Sequence, residues 1–479
     1  MDWRKNTGWD SHIKPFLYKK LPSQTGWSAV LGTLCVLTFF VMAVTGMVLA
    51  FYYVPDPDKA YDSVKFISNE IAMGRIVRGL HHWGAGAMVL LVFAHLVVSY
   101  LHGSYQNPRQ LTWITGAGMF IIVLGLGFTG YLLPWDMKAY WATVVGANIP
   151  NQYPGVGNYI TRIILGGNEI SGFTLTRFYS VHTLILPAAM VFFMAMHIYL
   201  VRIHNLSDPR ERLAEETLPP DTGKPFRFFP EQMNRAFLVF GVLFVVLLLL
   251  SAFADPPMEE KAGTIVADYL PRPEWYYMWL FQMLTYFSGE WEMVGSMIIF
   301  GGAIIILFGV PFFSESKLKG MVNRPVSIAV ASTLIACILF LTYTAYHEAS
   351  PYNKTILLPV KEMTAEQRLG MIAYVDKECS YCHNIQGEGG HRTGPDMSNL
   401  ARKQRSLDYL MAYVKDPKSQ MPSTTMPSYV MDESELKNMA AFLLSLDFRG
   451  GQASKRLDTA PILEEAKQNR ETKAESVRQ

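Results

Sequence analysis

RGLHHWGAGAMVLLVFAHL at 78–96 and TLTRFYSVHTLILPAAMVFFMAMHIYL at 174–200 decide how this chain folds. Both stretches are apolar enough to lie in lipid. Each carries a widely spaced histidine pair, His81 and His95 in the first, where His82 directly follows His81, and His182 and His197 in the second. The spacings are 14 and 15 residues. At about 100° and 1.5 Å per residue, each step returns to roughly the same helix face and separates the imidazoles by about 21 Å. The hydrocarbon core of a bilayer is about 30 Å thick. Two such helices facing each other would hold two bis-histidine haems, one near each membrane surface. A lone intramembrane histidine is most simply a core residue satisfied by a hydrogen bond. Four at matched depths on two helices point to ligation, because polar groups at that depth are costly without a function.

The rest of the chain agrees with a lipid setting. Of its 479 residues 50% are hydrophobic and 17% charged, which fits a membrane protein with a soluble part, and a net charge of +2 suggests no nucleic-acid partner. Uncharged apolar stretches occur at about 27–53, 79–101, 113–133, 178–201, 236–254, 293–313 and 325–346. Each is long enough to span, which predicts seven transmembrane helices. The first is too long for a cleaved signal. Basic residues gather before the first span (Arg4, Lys5, Lys14, Lys19, Lys20), between the fourth and fifth (Arg202, Arg210, Arg212, Lys224, Arg227, Arg235) and between the sixth and seventh (Lys317, Lys319, Arg324). The 54–74 connection has only Lys59 and Lys65 before Arg75, against Asp56, Asp58, Asp62 and Glu70. The positive-inside rule therefore puts the N-terminus in the cytoplasm and everything after residue 347 on the outer side.

Beyond the last span the character changes. Residues 348–363 read as a linker, 364–447 as a small polar-faced helical domain, and 448–479 as a charged tail, poor in aromatics and expected to be disordered. Cys379-Ser380-Tyr381-Cys382-His383 is a haem attachment motif, in which two thiols add to the haem vinyls and the histidine becomes an axial ligand. The alternative is a redox or zinc-binding cysteine pair. Cys35 and Cys337 lie in apolar spans and read as small core residues. Thr364 with Gln367, and Asp432 with Glu435, are placed to start helices as capping boxes. Gly394-Pro395-Asp396-Met397 supplies a turn whose carbonyl could orient His383. Methionine as sixth ligand would raise the haem potential. Met421 and Met426 compete for that place, and Met426, in Met426-Pro427-Ser428-Tyr429, is the better match to cytochrome c chains.

Taken together, these residues resemble the cytochrome b of quinol:cytochrome c oxidoreductases. The likeness covers nearly all of residues 20–346 and includes GRIVRGLHHWGA (74–85), GFTGYLLPWDMKA (127–139), TLTRFYSVH (174–182) and Pro273-Glu274-Trp275-Tyr276. The 15-residue step between His182 and His197 looks like the chloroplast and Gram-positive branch. That branch usually splits the b subunit into a four-helix and a three-helix protein. Here the two parts appear joined, as 1–209 and 210–347, and are followed by a domain similar to class I cytochromes c. The implied fold is all-α, a seven-helix transmembrane cytochrome b bundle and then a small α-helical cytochrome c domain.

The resemblance also implies roles. His81 with His182 would ligate the outer haem b, His95 with His197 the inner one, and Cys379, Cys382, His383 and Met426 would hold one covalent haem c. Gly32, Gly46, Gly116 and Gly130 match the glycines that let haem approach the backbone. Arg78 and Arg177 match propionate partners. Glu274 would take a proton from quinol, with Tyr276 beside it in the same motif. Arg202 matches an arginine near the inner quinone site, with His204 as an alternative proton donor there. The branch's third haem is tethered by a cysteine at the position of Val30 here, so the likeness does not extend to that bond. The implied partners are quinone, a separate Rieske iron–sulfur protein, a downstream acceptor (cytochrome c or an oxidase) and a second copy of the chain. The implied place is the bacterial cytoplasmic membrane, with the c domain outside. The competing reading is a dihaem membrane anchor that relays electrons for another oxidoreductase. Such an anchor would need neither the Pro273–Tyr276 motif nor spans five to seven.

Overall fold

The computed structural model describes residues 9, 14–22, 25–151, 153, 155–167, 170–207, 226–262, 272–287, 294–313, 321–347, 355–359, 362–377, 379–386, 395–421, 424, 426, 428–429, 431–448 and 454–468. Of the basic residues used above for topology, Arg4, Lys5, Arg210, Arg212, Lys224, Lys317 and Lys319 lie outside them. The chain divides into two compact units, residues 1–260 with 296–340, and 261–295 with 341–479.

Among the described residues, seven helices are long and apolar enough to cross a membrane: Trp27–Ala50, Gly74–Leu101, Gln110–Leu132, Gly172–His204, Phe228–Phe253, Val294–Phe313 and Pro325–His347. A helix satisfies every backbone group within its own segment, which is what a bilayer core demands. In the first unit, the first and fifth spans pack along the second, and the third packs along the fourth. The histidine-bearing second and fourth spans therefore each have a glycine-bearing neighbour, the first and third respectively.

The few polar groups between spans serve their ends. Arg109 is buried and donates to the carbonyls of His204 (3.2 Å), Asn205 (3.1 Å) and Leu206 (3.3 Å). It thereby satisfies acceptors at the C-terminal end of span four, where a cation also suits the helix dipole. Arg324, also buried, donates to the Tyr100 carbonyl and to the Tyr105 hydroxyl (2.6 Å). Trp113 Nε1 donates to the Leu307 carbonyl at 2.8 Å and so ties the third span to the sixth. A two-residue strand, β1 (Lys20–Leu21), pairs antiparallel with β2 (Phe226–Arg227) and fixes the N-terminal segment to the start of the fifth span.

In the second unit the cytochrome-c-like part is a helical core. The helix Ala365–Asp376 packs across Glu433–Ser445, and both start with the expected capping boxes, Thr364 with Gln367 and Asp432 with Glu435. Tyr374, Val375, Met439 and Phe442 are almost fully buried between them. Two expectations need correction here. The linker contains a strand, β3 (Thr355–Pro359), and the tail contains another, β4 (Ser454–Asp458), which pairs with it antiparallel from Thr355↔Asp458 to Pro359↔Ser454. A helix follows at 460–468, placing Ile462 and Ala466 in the domain core and Glu465 on Arg368 at 3.0 Å. The expected disorder thus fails for 454–468, because the polar tail has an apolar stripe and a strand edge to bind. Residues 469–479 lie outside those described.

Candidate haem sites and their surroundings

The imidazoles of His81 and His182 face each other across 6.3 Å between ring centres, at 76° between planes. Those of His95 and His197 stand 6.5 Å apart at 78°. Two metal–imidazole bonds of about 2.0–2.1 Å, plus about 1.1 Å from each nitrogen to its ring centre, span about 6.3 Å. Both gaps therefore fit one six-coordinate metal between two histidines, as a bis-histidine haem requires.

The unequal sequence spacings have a local cause. Span four opens as a regular helix, Gly172–Ser180, passes through one π turn at Val181–Ile185, and resumes as Leu186–His204. The π turn holds His182. It accommodates one extra residue, so the 15-residue step keeps its face opposite the 14-residue step of span two. Pro187, just beyond, cannot donate an amide and clashes with a regular helical carbonyl four residues back, which favours such a turn.

Each of the four glycines faces one histidine ring. A Cβ at Gly46 would sit 3.0 Å from His81 Cε1, at Gly130 2.5 Å from His182 Cε1, at Gly116 3.2 Å from His197 Cε1, and at Gly32 3.5 Å from His95 Cε1. The rings can stand upright in the gap because these positions lack side chains. Three threonines, which the sequence reading passed over, also reach the rings. Thr45 is 3.0 Å from His81 Nδ1, Thr115 3.0 Å from His197 Nδ1 and Thr129 3.2 Å from His182 Nδ1. The signal was present, since each immediately precedes one of the glycines.

The other assignments fare unevenly. Arg78 donates to Ser68 Oγ and to the Pro257 carbonyl, both at 3.3 Å, and Arg177 donates to the Ile163 carbonyl at 2.7 Å. Arg202 lies over the Phe16 ring at 4.0 Å, donates to the Phe16 carbonyl, and has Lys19 on its own carbonyl. The N-terminal segment thus packs directly on it. His204 Nδ1 is buried without a hydrogen-bond partner. Val30 is buried in an apolar cluster with Leu34 and Ala236. Asp136 accepts from the amides of Ala139 (2.8 Å) and Glu259 (3.2 Å), and burial raises its carboxyl above the usual range. In the second unit Glu274 immediately precedes the helix Trp275–Thr285. Tyr276 is half-buried, and desolvation, then Tyr277 and Glu274, push its hydroxyl well above the usual phenol range.

In the c domain Cys379–Cys382 forms one helical turn. Burial, then the neighbouring Cys382, pushes the Cys379 thiol up to about 12, the opposite of the lowered value a redox-active pair uses. Among the described residues no three or more His, Cys, Asp or Glu side chains gather as a zinc site would need. The buried His383 has Nδ1 2.9 Å from the Pro395 carbonyl. That contact fixes Nδ1 as the donor and leaves Nε2 for a metal, so the turn expected at 394–397 does carry an orienting carbonyl. Gly394 itself lies outside the described residues. Met426 packs half-buried against the domain core, whereas Met421 is 46% exposed. Met426→Ala should therefore abolish the weak methionine-to-iron absorption band and lower the potential of the c haem, and Met421→Ala should do neither. The opposite pattern in a redox titration would move the ligand to Met421.

These features define a multi-pass membrane cytochrome with a cytochrome c domain at its C-terminal end. The chain belongs to the cytochrome b family of bc-type complexes, with both b parts in one polypeptide. The family "Cytochrome b/b6/petB" matches residues 18–205, "Cytochrome b(C-terminal)/b6/petD" residues 269–361 and "Cytochrome c" residues 367–447. The cytochrome bc complex cytochrome b subunit of Chlorobaculum thiosulfatiphilum is 33% identical over 322 residues, 67% of this chain and 73% of that protein. The menaquinol:cytochrome c reductase cytochrome b subunit of Bacillus subtilis (strain 168) is 46% identical over 177 residues, 36% of this chain and 79% of that protein. A chain of a hyperthermophilic respiratory Complex III superposes with a TM-score of 0.65 at 25% identity, covering 73% of this chain and 92% of its own.

Proposed function

We propose that this chain is the electron-transferring core of a quinol:cytochrome c oxidoreductase, with two haems b held by His81 with His182 and His95 with His197, and one covalent haem c on Cys379, Cys382 and His383. The observation that carries the reading is the pair of facing histidine gaps, 6.3 and 6.5 Å wide. Bound haem supplies one-electron carriers at two levels of the membrane and in the c domain. Glu274 accepts a proton from quinol on the outer side and releases it to water, with Tyr276 helping to shape the site. One electron leaves to a separate Rieske iron–sulfur protein, and the other crosses between the two histidine pairs to quinone near Arg202. Protons are released outward. Arg78 and Arg177 neutralise propionates. The relatives named for menaquinol support a quinol of that kind as substrate. The chain works as a homodimer in a bacterial cytoplasmic membrane, with the c domain outside passing electrons to a cytochrome c or an oxidase.

A general base lost from such a site costs about 10²–10⁴-fold in rate. Glu274→Gln should leave the b-haem spectra intact and slow quinol-driven reduction of haem c by a factor in that range. Turnover equal to wild type between about pH 5 and 8 would remove Glu274 as the proton acceptor and turn attention to Asp136 and Tyr131.

A further inference from the structure

The three threonines do more than fill space. Each hydroxyl has a single proton, and each already donates it to a carbonyl of its own helix. Thr45 donates to Val41 at 2.7 Å, Thr115 to Thr112 at 2.9 Å and Thr129 to Gly125 at 2.8 Å. Towards the histidine the same oxygen can only accept. His81, His197 and His182 must then carry their proton on Nδ1, which leaves Nε2 bare. The arrangement repeats in register: threonine, then a glycine facing the same imidazole, at 45–46, 115–116 and 129–130. The fourth histidine breaks the pattern. Gly32 faces His95, but the residue before it is Leu31, whose side chain has no acceptor to offer.

We propose that Thr45, Thr115 and Thr129 are positioning residues that lock three of the four membrane histidines as Nδ1–H tautomers and make them stronger donors to iron, while Leu31 leaves His95 unbacked. The outer pair is then backed on both sides and the inner pair only through His197. Accepting a hydrogen bond from Nδ1–H raises the basicity of a metal-bound imidazole. The bond is stronger when the metal carries more positive charge, because charge-assisted hydrogen bonds are the stronger ones. Each threonine therefore favours the ferric state, and the outer pair is held lower in potential by one such contact more than the inner.

This inference rests on the histidine gaps being haem sites, and the test separates the two. The full chain, purified in its complex, is titrated by ambient potential while the two b-haem bands are followed. Haem b is counted by pyridine haemochrome. A net hydrogen bond is modest, so Thr129→Val should raise the ferrous-to-ferric ratio of the outer haem at fixed ambient potential by about threefold to tenfold. Thr129→Ser should restore it. Leu31→Thr should shift the inner haem in the opposite direction. Two b haems with an outer potential unmoved in Thr129→Val, or moved equally in Thr129→Ser, would overturn the inference while leaving the haem assignment intact. If the valine variant fails to assemble, an inner potential in Leu31→Thr that stays put or rises overturns it instead. Fewer than two b haems in the unmodified chain would fail the haem reading itself.

Discussion

His182→Ala should leave the chain with one b-type haem in place of two and stop electron transfer across the membrane. His182 faces His81 across a gap sized for one metal, and its Nδ1 is held by Thr129 so that Nε2 points inward. Alanine would remove one of the two facing imidazoles and leave Thr129 and His81 without the ring they face. The haem b content per haem c should fall by about half, since one bis-histidine site of two is gone. The absorption band lost should be that of the outer haem, and His197→Ala should remove the other. Quinol-driven reduction of the inner haem should disappear with the outer one, because the two levels lie in series. Undiminished b-haem absorbance in His182→Ala would break the assignment of the four ligands.

The second large effect belongs to the c domain. Denatured gels stained for haem should light up at full chain length and lose the signal in the double variant Cys379→Ala/Cys382→Ala. Thioether bonds survive denaturation and histidine ligation does not, so the stain reports attachment alone. The double variant should also loosen the domain, whose core residues Tyr374, Ile385 and Met397 lie near the attachment turn in sequence and stay largely buried. Losing the haem would remove packing and axial ligation that only the folded form can make, which lowers its stability. A persisting stain would mean a further covalent haem. The chain has four cysteines, so Cys35 or Cys337 would have to hold it.

Much of this protein was legible without its structure. Seven spans follow from apolar length, because lipid leaves a backbone no alternative to the helix. The two capping boxes and the attachment motif are local, fixed by residues three or four apart. The carbonyl that orients His383 comes from a little further off, twelve residues on at Pro395. Periodicity put the histidines of each helix on roughly one face, and the fold then sets them in two facing pairs, 6.3 and 6.5 Å apart.

Tertiary structure decided what depends on partners distant in sequence. The 15-residue step between His182 and His197 looked merely close to the 14-residue one. The π turn at Val181–Ile185 accommodates the extra residue, and only packing against the third span shows that the faces still align. No neighbour for Arg202 could be read from the sequence, and the fold packs Phe16 and Lys19, more than 180 residues earlier, against it. The tail looked too polar to order itself, and alone it would be. It orders because β4 finds the edge of β3 about 100 residues back and buries Ile462 and Ala466 in a core built by other helices. Hydrophobic length and short-range capping are properties of a segment, so the sequence by itself determined the spans, the capping boxes and the spacing of the four histidines along their helices. Strand pairing, hydroxyl-to-imidazole contacts and the stacking of an arginine on a distant ring are properties of two segments brought together, and only the folded chain decides them.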